Sequence, residues 1–530
     1  MRSFVLLALA GATALTACRA SVEQPPVPTV PQVSRHPERR GISLLTVSGP
    51  QSLAGTEEDI VVDPRRSLAV TDEVILARFS FEEVMNRLAE LSGVPGLTGL
   101  RLYQEWWDSQ RKAPGLGLGG PHCGDELLPD GKPGFNGFPY SCPRDEWRQA
   151  LENPFLEPAT NAVAYVPIGL FNRFDLAAAD GSDCGEYRIV FARRSGMSEP
   201  NQRNLIAFEG VLPNPKPRKG LDGCRKVARF WAQLSREPDP AARAEALHRF
   251  YFEGVGKFPP VIHPDRFGNP TERATGQVRT NQFIQQSVTQ GTWTLREFRL
   301  RTRCTGDSCM MRFEPDTVKT NPAGILFSAK QEHSLKEEFS EALVSQVEAL
   351  AVNDLLRFSL DVGERFNSGQ SHSNGTENLY SHQMGKGDGP LRRKLKQRLN
   401  ELGSPLTVDN IVARAQVLSC AGCHQLSTKA DLGGGLSWPD KKTPFTFVHV
   451  SERTKEEGPD GQRFGLSEVL ERTFLPPRRQ LLEAFLARRP PFDKPPGPDD
   501  ECQEPEVRGA RVETPGEDTP DKDQCEDEGG

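Results

Sequence analysis

The sequence predicts an α+β fold, followed by a helical middle region, a small all-α unit and a disordered acidic tail. Three observations carry that expectation. Between residues 61 and 325, strand-like runs such as NAVAYVPIGLF, EYRIVFA, LIAFEGVL and TWTLREFRL alternate with helix-like ones such as CRKVARFWAQLS and PAARAEALHRFYFEGV. Between 326 and 403, Phe339, Leu343, Val347 and Leu350 fall at helical spacing and form one apolar stripe. From 404 to 490, the helix-like runs TVDNIVARAQVL and LLEAFLARR flank a cysteine motif and a glycine-rich loop. A chain of 530 residues suits several such units, and its 28 Phe, six Trp and six Tyr are ample for packed cores.

The chain's first residues predict export. In MRSFVLLALAGATALTACRAS, Arg2 is followed by an apolar run from Val5 to Leu15, too short for a mature transmembrane helix. Residues 1–17 therefore read as a signal peptide ending in Leu15-Thr16-Ala17-Cys18. This ending resembles the lipobox of bacterial lipoproteins, in which the cysteine thiol is acylated after cleavage. The resemblance implies lipidation at Cys18 and a membrane as partner, with the protein on the periplasmic or surface face of an outer membrane. Residues 18–60, rich in Pro, Ser, Val and Gln, read as a disordered spacer.

Charge is unevenly placed. Residues 491–530 hold fourteen Asp and Glu against four Lys and Arg, whereas the whole chain sums to −7, so the first 490 residues sum to about +3. No basic, aromatic-studded patch points to nucleic acid.

Eleven cysteines fit an oxidising compartment. With Cys18, Cys420 and Cys423 set aside, eight remain, and short loops favour Cys304 with Cys309 and Cys502 with Cys525. Cys123 with Cys142 and Cys184 with Cys224 are further pairings.

The chemistry concentrates in LSCAGCHQLS, Leu418 to Ser427. Cysteines at i and i+3 on a helical turn project to one side, where two thiols can reach the two vinyl groups on one porphyrin edge. The histidine that follows is then placed to bind the iron from below. Cys420, Cys423 and His424 meet these demands, and Ala421 and Gly422 are small enough for close approach. A zinc corner would need further ligands, and the later sequence offers only His449, Cys502 and Cys525. A redox dithiol would follow a strand in a βαβ setting, whereas an amphipathic helix precedes this motif.

Residues 404–490, with helix, Cys-x-x-Cys-His, irregular loop and closing helix, resemble the small class I cytochrome c domain. The resemblance implies one covalent haem c, with thioethers at Cys420 and Cys423 and His424 as proximal iron ligand. That family takes its sixth ligand from a downstream methionine, but no methionine follows His424 here. Three alternatives stay open: His449, giving a bis-histidine iron of lower potential; Met384 or His382; or an open position.

Other motifs are few. No His-Glu-x-x-His, Gly-x-Ser-x-Gly or P-loop occurs. Asp175, Asp180, Asp183 and Glu186 are numerous enough for calcium but lack EF-hand spacing, so a turn stapled by Cys184 is the plainer reading. The segment NRFDLAAADGSDCGEYRIVFARR, with RTNQF and WTLREFRL, resembles stretches of secreted proteins from myxobacteria and other large-genome bacteria, and implies no activity.

The expected function is a membrane-anchored, exported mono-haem cytochrome passing single electrons to a redox protein partner. The alternatives are a haem-dependent oxidoreductase or sensor with an open iron position, and a tethered binding lipoprotein acting through residues 61–325.

Overall fold

The computed structural model describes residues 61–107, 126–268, 275–284, 293–306, 308–440 and 450–488. An antiparallel eight-stranded sheet dominates them. Its strands are β1 (Ala69–Val70), β2 (Tyr165–Arg173), β3 (Asp183–Arg193), β4 (Gln202–Pro213), β5 (Gln277–Ile284), β6 (Thr294–Thr305), β7 (Ser308–Asp316) and β8 (Ser371–His372). They lie in the order β1-β2-β3-β4-β5-β6, and the outer edge of β6 pairs with both β7 and β8.

The sheet forms because its strands alternate. Tyr187, Ile189 and Phe191 of β3, Ile206 and Phe208 of β4, Val278 of β5 and Phe298 and Leu300 of β6 are fully buried and point to one face. Helices α1 (Phe81–Leu91), α2 (Gly99–Trp107), α3 (Arg225–Gln233) and α4 (Pro240–Phe252) cover that face. Phe81 meets Phe191 at 5.3 Å between ring centroids, Trp106 meets Phe298 at 5.4 Å, and Tyr187 stacks on Trp231 at 5.7 Å. Each such ring contributes about 1.5–3 kcal/mol through burial. Helix α1 starts where Ser80 Oγ accepts the Glu83 N–H at 3.0 Å, and its stripe of Phe81, Val84, Met85 and Leu88 faces the core. Disulfides Cys184–Cys224 and Cys304–Cys309 staple β3 to the start of α3 and β6 to β7. Cys142 is also disulfide-bonded, while Cys123, Cys502 and Cys525 lie outside the described residues.

A second core is helical. Phe339, Leu343, Val347 and Leu350 are fully buried there. They belong to one cluster with Phe327, Tyr380, Met384, Leu395 and Ile411. The helices are α5 (Lys336–Ser345), α6 (Tyr380–Met384), α7 (Pro390–Glu401) and α8 (Val408–Leu418). A capping box between Thr407 and Asn410 starts α8.

The expected division into an α+β unit, a helical region and a small all-α haem unit is not the fold that forms. Strand β8 lies within the expected helical region yet completes the sheet, so the boundary at 325 falls inside one structure. Residues 404–490 do not make an all-α unit. They include the hairpin β9 (Val450–Gly458) and β10 (Gly461–Leu466), and a smaller one of Asp431–Gly433 with Leu436–Ser437. Their helices serve different cores: Ile411, Val412 and Ala415 of α8 join the helical cluster, whereas Leu481, Leu482 and Phe485 of α9 (Leu475–Ala487) join the sheet's core. The helical periodicities at both ends are real, but helical spacing does not say which core a stripe completes. The hairpin follows from Gly458-Pro459-Asp460-Gly461, a turn sequence with Gly461 at φ 101°. The spacer, Cys18 and the acidic tail lie outside the described residues.

Candidate functional site

The second face of the sheet is charged, and the chain buries it. Cross-strand register aligns Arg188 with Glu209 and Glu209 with Gln277, and it aligns Arg279 with Glu297 and Glu297 with Asp316. Glu186, Glu209 and Glu297 are 3%, 2% and 0% exposed. Buried charges persist only when paired, and here every guanidinium is shared. Arg188 contacts Glu186 and lies 3.1 Å from Glu209. Arg279 lies 3.1 Å from Glu209 and 3.3 Å from Glu297.

The cysteine motif is held against this face. Helix α8 ends at Leu418, and Ser419 leaves it with extended backbone, φ −74° and ψ 153°. Ser419 Oγ then donates to the Gln416 carbonyl at 2.8 Å and accepts the Gly422 N–H at 3.0 Å, which starts a new turn. Ser371 Oγ, at the end of the sheet, accepts the Ala421 N–H at 3.0 Å. Gly422 is demanded by packing, because a Cβ there would stand 1.7 Å from the Gln416 carbonyl oxygen. One turn thus carries Cys420, Cys423 and His424, with both cysteines as thiols and His424 7% exposed.

The two thiols have different surroundings. Burial pushes the Cys420 thiol up to about 12; Arg279 opposes the shift, while Glu297, Cys423 and Glu209 add to it. A redox dithiol needs the opposite, a thiolate stabilised near neutral pH. Cys423 packs against an apolar cluster of Phe358, Val417, Leu432 and Trp438, joined by Phe474. Arg414, fully buried, fixes the loop that delivers Trp438: its guanidinium donates to the carbonyls of Leu350 and Val352 on one side and Leu432 and Gly433 on the other, at 2.7–3.1 Å.

Two donors on this side fit a carboxylate-bearing group. Trp438 is 4% exposed, and its indole N–H has no hydrogen-bond partner among the described residues. Its ring lies 6.1 Å from Phe474, over which the Arg478 guanidinium sits at 5.4 Å. Arg478 shares Asp175, at 3.5 Å, with Arg173 at 2.9 Å. Burial, and then the charge on Arg173, weigh against the Arg478 cation. A guanidinium keeps its proton in proteins, so the arrangement favours a further anion. A haem attached at the two cysteines would bring two propionates that these donors could receive. Among the described residues no three His, Cys, Asp or Glu side chains converge as a metal-ligand group, so His424 and the two cysteines do not form a zinc corner by themselves.

The remaining sequence candidates are spread out. Met384 is 3% exposed inside the helical core, His382 is exposed, and His449 lies outside the described residues. Asp175 is taken by arginines, Asp180 and Asp183 accept backbone N–H groups of their own turn, and Glu186 pairs with Arg188. The residues missed in the sequence were Glu209, Arg279, Glu297, Ser371, Trp438 and Arg478. For Arg279 and Glu297 the one signal was the alternation of charged with apolar residues in QVRTNQF and TLREFRL, a pattern that ordinarily marks a solvated face; Ser371, Trp438 and Arg478 carried none.

No helix of the described residues is long and apolar enough to cross a membrane. No family model, no curated protein and no solved structure matches the chain.

Proposed function

We propose that the chain is an exported, lipid-anchored c-type haem protein that passes single electrons to a redox partner outside the cytoplasmic membrane. What supports this reading is the Ser419-capped turn, which carries Cys420 and Cys423 as half-buried free thiols and His424 as a buried imidazole within five residues. Cys420 and Cys423 would supply the two thioethers and His424 the iron ligand, and Trp438 and Arg478 would receive the propionates. Such a haem would supply a one-electron iron couple. Cys18 supplies the anchor.

The test is expression with an intact haem-attachment system, followed by a haem-stained denaturing gel and an alkaline pyridine spectrum. A haem band that survives denaturation, and is lost in the Cys420→Ala/Cys423→Ala variant, is expected. A colourless wild-type protein sinks the proposal. For the sixth position His449 would be the ligand, and an open position is the alternative, since Met384 is buried in the helical core. With His449 bound, carbon monoxide leaves the reduced wild-type spectrum unchanged and shifts that of His449→Ala. A rapid shift in the wild type means an open position and rejects His449.

A further inference from the structure

We infer that Glu297 lowers the reduction potential of the centre at the cysteine turn, acting as a fixed buried negative charge beneath it. The inference rests on the haem reading above and adds to it a residue that sets the potential.

Position comes first. Ser371, which holds Ala421, is the cross-strand partner of Leu295. Glu297 stands two residues further along the same strand, and side chains two apart share a face. The carboxylate therefore lies on the sheet face that carries the turn. Its field reaches the Cys420 sulfur, where it opposes ionisation.

Its environment is the second observation. Glu297 is fully buried. One carboxylate oxygen accepts the Lys319 N–H at 2.9 Å and faces the Arg279 guanidinium at 3.3 Å. The other has no hydrogen-bond partner among the described residues. Arg279 is not Glu297's alone, since it lies equally close to Glu209 at 3.1 Å. Half-compensated carboxylates cost stability in a core. In a low-dielectric interior the same charge acts over a long range. A negative charge near iron favours the ferric over the ferrous state, which lowers the potential.

Two neutralisations test this in the full-length, haem-loaded protein by spectroelectrochemical titration. Glu297→Gln keeps the side-chain shape and the Lys319 contact, and it is expected to raise the midpoint potential. Arg279→Gln removes the opposing cation and is expected to lower it, so the test stands if either variant folds. Glu297→Asp, which keeps the charge, should stay close to wild type. A merely structural carboxylate would move the denaturation midpoint and leave the potential in place. A midpoint unchanged in Glu297→Gln, or displaced downward, at wild-type haem content overturns the inference alone. A wild-type protein with no covalent haem overturns the haem reading and this inference with it.

Discussion

Ser371 Oγ accepts the Ala421 N–H at 3.0 Å, joining the edge of the sheet to the turn that carries both cysteines. The same hydroxyl donates to Asn321 Oδ1 at 2.8 Å, and both Asn321 and Ala421 are fully buried. Ser371→Ala leaves two buried polar groups unsatisfied, at a cost of about 1–3 kcal/mol for each. Urea denaturation should show this loss, and haem incorporation should fall with it. An unchanged midpoint would mean that the turn does not depend on the sheet edge.

Gly422 is required for a different reason. Its φ is ordinary for any residue, but a methyl group there would meet the backbone oxygen of Gln416, which closes the end of α8 and cannot swing away. Gly422→Ala is expected to destabilise by about 3 kcal/mol, the upper end of the range seen for overpacked cores. The Gly387→Ala control, where nothing lies within 4 Å, should fall within about 0.5 kcal/mol of wild type. Equal thermal midpoints for the two variants would refute the packing argument.

Arg203 and Glu452 pair in the interior, 5% and 3% exposed, and tie the β9–β10 hairpin to β4. The second contact of the pair, Arg203 Nη2 to Glu452 Oε2, is 2.9 Å, and the guanidinium lies 4.5 Å from the Trp293 ring centre. Removing one partner strands a buried charge, so Glu452→Gln should cost about 3–5 kcal/mol. The double variant Arg203→Met/Glu452→Leu should recover most of that loss. A double variant as unstable as the single one would assign the cost to packing.

These sites show how far the sequence could be read. That Cys420, Cys423 and His424 share one turn was legible because they are neighbours in the chain. The stripe Phe339-Leu343-Val347-Leu350 was legible for the same reason, and the structure buries all four. What covers what was not legible. Arg188, Glu209, Arg279 and Glu297 alternate with apolar residues as any half-exposed strand would, yet Glu209 and Glu297 are buried, and Cys420, more than a hundred residues beyond Glu297, lies within their field. The helices of residues 404–490 were visible as helices. Their assignment to a unit of their own failed because α8 and α9 complete cores begun far upstream.

The raised ionisation of Cys420 makes a pH prediction for the haem-free chain. Burial holds the folded-state thiol up to about 12, with Glu297 and Glu209 contributing and Arg279 opposing, whereas an unfolded cysteine ionises near about 8.5. Below that lower value both states keep the proton, and the contribution to stability is complete. Between the two values the unfolded chain loses its proton first, so stability falls as pH rises and the contribution is gone above about 12. The urea midpoint should therefore decline between about pH 9 and 11, and Cys420→Ala should flatten that decline. Alkylation by iodoacetamide gives an independent readout, since only the thiolate reacts. At pH 8 Cys420 should react far more slowly than a cysteine in the urea-unfolded chain. Equal rates in folded and unfolded protein would show that the turn leaves this thiol in ordinary solvent and does not press it onto the carboxylates of the sheet.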